Sequence, residues 1–172
     1  MEFGQLLAVI LGAFFGAAGW LLVGLYMTRR ANEREARSAA RAVYFELAMN
    51  EIDIDVAISH GVFSPLRRSS FDRLLPELAA WLEPQELEGL ARAYMSHAGY
   101  EQVQRDDKLP VPVKAALLGR VQAEHDAAST LLRSKAFSPS EAARLSTLAS
   151  SQRGTSSSAA PAAAVTRGSG GG

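Results

Sequence analysis

Three observations predict an all-α protein in which a single N-terminal transmembrane helix continues into a stalk and a small cytoplasmic helical bundle, with a disordered C-terminal tail. The chain opens with an uncharged apolar run, its later apolar residues recur at three- and four-residue spacing, and no stretch alternates as a half-buried strand would. The 172 residues divide accordingly into an anchor (1–28), a basic juxtamembrane stalk helix (29–42), a helical bundle (43–150) and a low-complexity tail (151–172).

The anchor comes first. From Phe3 to Met27 there are 25 residues with no charge and one amide, Gln5. At the helical rise they make about 37 Å, against a hydrocarbon core of about 30 Å. The opening Met1-Glu2 and the length of the run argue against a cleaved signal peptide, which begins with a basic region and has a shorter apolar core. No Lys or Arg precedes the run, whereas Arg29, Arg30, Arg34, Arg37 and Arg41 follow it. That bias predicts an outside N-terminus and a cytoplasmic body at the cell membrane. On a helical wheel, Ala8, Gly12, Gly16, Gly19 and Val23 share one arc of about 80°, opposite Phe3, Leu7, Ile10, Phe14, Leu21 and Leu25. In lipid, helices associate where small residues let backbones approach, so this arc is expected to pack against a second copy or another membrane protein.

Beyond Thr28 the helical period persists. Ala36, Ala40, Val43, Leu47, Asn50, Ile54 and Ile58 fall on one face, and Arg30, Arg34, Arg37 and Arg41 form a separate basic stripe suited to the membrane surface. From residue 43 the basic stripe gives way to Phe45, Met49, Ile52 and Val56, so the helix becomes apolar on two sides and is expected to be buried between neighbours.

Those neighbours follow in order. Phe71, Leu74, Leu75, Leu78 and Leu82 are helically spaced, with Pro76 expected to kink the segment or start a new one. Pro84 opens a further helix carrying Leu87, Leu90, Ala91, Tyr94 and Ala98, which Gly99 in "HAGY" is expected to stop. The prolines of "LPVPV", residues 109–113, break the chain before a helix bearing Leu117, Val121, Ala128, Leu131 and Leu132. Ser138-Pro139-Ser140-Glu141 is a capping-box signature for a last short helix. From Ser151 the chain is mostly Ser, Ala, Gly, Thr and Pro with two charges, too poor in apolar surface to order.

Chemistry is sparse. Formal net charge is zero, and no aromatic residues interleave the arginines, so nucleic acid is not an expected partner. The absence of cysteine removes disulfides, thiolate metal sites and a thiol nucleophile. No nucleophile elbow, phosphate-binding loop or dinucleotide fingerprint is present, and no cofactor or small-molecule substrate is expected.

One polar constellation stands out. Glu46, Asn50 and Asp53 lie within about 60° of one another on the helix, beside Glu51, Asp55 and His60. Such a face can hold a divalent cation or act as acid and base if other helices add ligands. The simpler reading is ion pairing with Arg67, Arg68 or Arg73, with Asn50 fixing helix register. His125 is expected at the edge of a core stripe, and His60 and His97 near helix ends where a cation suits the last turn. The leading functional expectation is a non-enzymatic interaction or scaffold protein. The alternatives are a bacterial or phage modulator that acts on the membrane through assembly of its span, and a metal-dependent enzyme using the Glu46 face.

Overall fold

The computed structural model describes the backbone of residues 3–147 and the side chains of residue 12 and residues 14–147. Among these residues the chain is all-helical: α1 (Phe3–His60), α2 (Ser69–Ala79), α3 (Pro84–Met95), α4 (His97–Arg105) and α5 (Val111–Ala136). Two compact units are present, Met1–Phe137 and Ser138–Gly172. In the second, a helical stretch at 139–147 opens as predicted, with Ser138 N–H donating to Glu141 Oε2 at 2.8 Å and Glu141 N–H donating to Ser138 Oγ at 3.4 Å. The tail expected to be disordered, 151–172, lies outside the described residues.

The first unit is organised on α1, a continuous helix of 58 residues. α5 runs antiparallel to it: Arg41 meets the end of α5 at Ala136, while Ile54 and Ala57 pack with Leu118 and Val121 near its start. α2 packs on α1, and α3 and α4 pack on α5. Packing begins at Ala36, earlier than residue 43, so part of the expected stalk belongs to the bundle. Ala36, Ala40, Val43, Leu47, Asn50, Ile54 and Ala57 are all buried, whereas Ile58 is exposed, because the bundle ends where α1 does. Leu47 has no exposed surface, and Leu47→Ala is expected to cost about 2 to 5 kcal/mol in denaturant unfolding of the detergent-solubilised chain. A loss below about 1 kcal/mol would mean that this face is not the core.

Three local expectations change. The second apolar side of α1 is not buried: Phe45, Met49 and Ile52 remain 53%, 48% and 47% exposed, because α2 and α5 both pack on the opposite half of the helix. Of the two outcomes expected at Pro76, a new helix start does not occur, since it lies inside α2; the carbonyl it leaves without a helical donor belongs to Asp72, an exposed residue. Gly99 does not stop a helix either. The break falls at Ser96, and α4 runs through Gly99, where a Cβ would make only ordinary contacts with Leu117 and Val121 at 3.8 and 3.9 Å.

Among the described residues no helix is long and apolar enough to cross a membrane. The apolar run with described side chains, Phe14 to Met27, is shorter than the roughly 20 residues a span needs. The remainder of the expected span, including Ala8 of its packing arc, lies outside the described side chains.

Candidate functional site

The Glu46, Asn50 and Asp53 face is met by the segment that follows α1. Gly61, at φ +65°, reverses the chain in a conformation only glycine adopts cheaply. Residues 62–68 then return alongside α1. Asn50, fully buried, donates from Nδ2 to the Arg67 carbonyl and accepts the Arg67 N–H at Oδ1, both at 2.7 Å. One amide side chain thus satisfies both backbone groups of one residue, which fixes the register of the returning strand of chain. Asp53 holds the Arg67 guanidinium at 3.0 Å in a partly exposed pair.

Glu46 does the most. Its Oε2 accepts the Ser70 N–H at 2.7 Å and the Ser69 hydroxyl at 3.3 Å, and its Oε1 accepts the Phe71 N–H at 3.2 Å and the Tyr94 hydroxyl at 2.9 Å. The first N–H groups of a helix have no intrahelical acceptor, and Arg68 at the N-cap of α2 supplies no side-chain cap. A carboxylate from α1 therefore caps α2 across the bundle, at the positive end of that helix. Tyr94 stacks on Phe71 with centroids 4.2 Å apart, and burial, then the Glu46 carboxylate, push its phenol pKa above the usual range. The four acceptor contacts occupy both oxygens of Glu46. No group of three or more His, Asp or Glu side chains able to hold a metal occurs among the described residues. Of the arginines expected here, Arg67 makes the contact, whereas Arg68 pairs with Asp72 on its own helix.

A second polar cluster corrects the sequence reading. His97 and His125 are buried with their Nε2 atoms 3.0 Å apart. Their ring centroids, 5.1 Å apart with planes at 15°, are about as far apart as that Nε2 separation allows. The rings therefore meet edge to edge in nearly one plane and share one proton in an N–H···N bond. Burial, then Arg68, lowers the His97 pKa to about 4, and burial, then His97, lowers that of His125 to about 3. Both are neutral at pH 7. His97 was expected as a cation in a last turn; it stands in the first turn of α4, where the helix dipole opposes a cation. The spacing of His125 with Leu118, Val121, Ala128 and Leu132 on α5 already carried the signal for its burial. Nothing in the sequence marked His97 as its partner. His125 Nδ1 and the Ser129 hydroxyl, one turn along α5, are buried without a hydrogen-bond partner.

The basic stripe divides. Arg30, Arg34 and Arg37 are exposed, but Arg41 donates from Nε to the Ala136 carbonyl at 3.0 Å and lies 5.0 Å above the Phe137 ring, clamping the C-terminal end of α5. On the small-residue arc, Gly12, Gly16 and Gly19 have nothing within 4 Å of a Cβ position and Val23 is exposed, so at these four positions no described residue covers the face. A shallow cleft of about 300 Å³ between α3, α4 and α5 has an apolar floor of Leu117 and Val121, and its Arg92 is paired outward with Glu88 at 2.9 Å. Compared with known proteins, the chain matches no family model, no curated protein and no solved structure.

Proposed function

We propose that this protein is a single-pass membrane anchor that holds a small helical bundle at the cytoplasmic face and works by contact with protein partners rather than by catalysis. One observation carries the reading. Every large apolar side chain described from Phe14 to Met27 is between 58% and 81% exposed, on the stretch of α1 that precedes Ala36, its first buried residue among those described. An apolar surface of that extent needs a cover, and the charge-free run that begins at Phe3 makes lipid its natural one. The arginines at 29, 30, 34 and 37 supply the cytoplasmic flank and attract anionic headgroups. The two polar clusters support a scaffold as well: Glu46, Asn50 and Asp53 are consumed in joining α1 to α2, and the two histidines join α4 to α5.

The chain is expected to stay in the pellet after alkaline carbonate extraction of membranes. Because it has no cysteine, Glu2→Cys and Ser140→Cys report orientation directly. In intact cells an impermeant maleimide should label Glu2→Cys and spare Ser140→Cys. Release into the carbonate supernatant would overturn the anchor, and labelling of Ser140→Cys would overturn the orientation.

A further inference from the structure

The side of α1 opposite its buried face stays largely open, although the Phe137 ring meets Phe45 edge to face there with centroids 6.2 Å apart. Phe45, Met49 and Ile52 are about half exposed there, with Ala42 and Val56 continuing the line. We propose that this line is the seam of a parallel two-stranded coiled coil formed with a second copy of the chain, an inference that rests on the membrane-anchored reading. The spacing 42, 45, 49, 52, 56 alternates three and four, which is the a and d pattern of a heptad. None of these five residues carries a charge. The next equivalent a position toward the N-terminus is Glu35, where two copies would bring like charges together, so the seam is confined to 42–56.

Height and area identify the occupant. α1 is continuous, so Phe45 stands about 27 Å and Ile52 about 37 Å beyond Met27 along the helix. Lipid cannot reach them. A second copy anchored in the same orientation presents the same residues at the same height and parallel, which is the geometry an isologous seam requires. The exposed parts of Phe45, Met49 and Ile52 amount to about 100 Å² each, well below the roughly 800 Å² per partner of a standard interface. A partner arriving from solution would be held weakly by so small a strip. A copy confined to the same bilayer has already lost most of its freedom, so little area suffices.

The absence of cysteine gives a direct test in native membranes. Phe45→Cys, Met49→Cys and Ile52→Cys, each alone in the full chain, are expected to give disulfide-linked dimers under mild oxidation, because a parallel in-register seam puts each residue beside its own copy. Gln104→Cys, exposed on α4, is expected to give none. Adding Met49→Glu to Phe45→Cys should abolish the dimer band while carbonate pelleting and helical content stay unchanged. Equal cross-linking at Gln104, cross-links to a species of different mass, or no seam dimer from a chain that still pellets would overturn the seam and leave the anchor standing. Loss from the pellet of the chain without substitutions would overturn both.

Discussion

Glu46→Ala is expected to destabilise the bundle by about 3 to 5 kcal/mol, more than any loss of a surface ion pair. The carboxylate is buried, and its removal leaves the Ser70 and Phe71 N–H groups and the Tyr94 hydroxyl without their acceptor. A buried donor stripped of its partner costs about 1 to 3 kcal/mol, and hydrogen bonds to a charged group lie at the upper end. Water entering the vacated space recovers part of this, which keeps the total below a simple sum. Glu46→Gln keeps one acceptor oxygen and is expected to lose about half as much. Asp53→Ala, which breaks only the half-exposed pair with Arg67, should cost less than about 1 kcal/mol. Denaturant titration of the three variants in one detergent ranks them. If Glu46→Ala and Asp53→Ala proved equal, the cap across the bundle would have no energetic weight. A double-mutant cycle with Tyr94→Phe then isolates the shared hydrogen bond, whose coupling should exceed about 0.5 kcal/mol.

The same face shows what a sequence can and cannot carry. The periodicity of Ala36, Val43, Leu47 and Ile54 identified the buried side of α1 because burial of a helix face needs only one residue type at one spacing. The three polar residues at 46, 50 and 53 were recognisable as a group, and their structural role was the simpler of the two readings. What they bind was not legible. Asn50 and Glu46 use backbone groups of residues 67, 70 and 71, and backbone donors have no sequence identity. The failure at Phe45, Met49 and Ile52 is of another kind. A second apolar stripe predicts that something covers it, and the expectation placed that cover within the chain. Likewise His97 was assigned to a helix end from Gly99, but glycine in mid-helix costs only about 1 kcal/mol and packing close to Leu117 and Val121 tolerates it.

Acid should unfold the bundle through His97 and His125 before its carboxylates matter. In the unfolded chain each imidazole takes a proton near pH 6.5, whereas in the folded chain burial holds them neutral down to about 4 and about 3. Between pH 6.5 and 4 the unfolded state therefore binds up to two more protons than the folded state, and stability falls as pH falls. Each proton contributes about 1.4 kcal/mol per pH unit, so the pair costs close to 3 kcal/mol per unit once both are protonated in the unfolded chain. The groups facing the pair do not reverse this: Arg68 opposes protonation of His97, and the attraction of Glu101 and Glu46 is smaller than the burial effect. Glu86 and Asp72, whose pKa values are lowered by Lys135 and Arg68 respectively, lose their stabilising charge only at lower pH, which leaves pH 6.5 to 4.5 as a clean window. Denaturation midpoints followed by circular dichroism across that window should give a slope approaching two protons. His125→Leu should reduce it to about one, because it removes one titrating ring and leaves in place the burial and the Arg68 charge that hold His97 neutral. A flat profile from the chain carrying both histidines would mean that the rings titrate freely in the folded state and that the edge-to-edge bond between α4 and α5 does not hold.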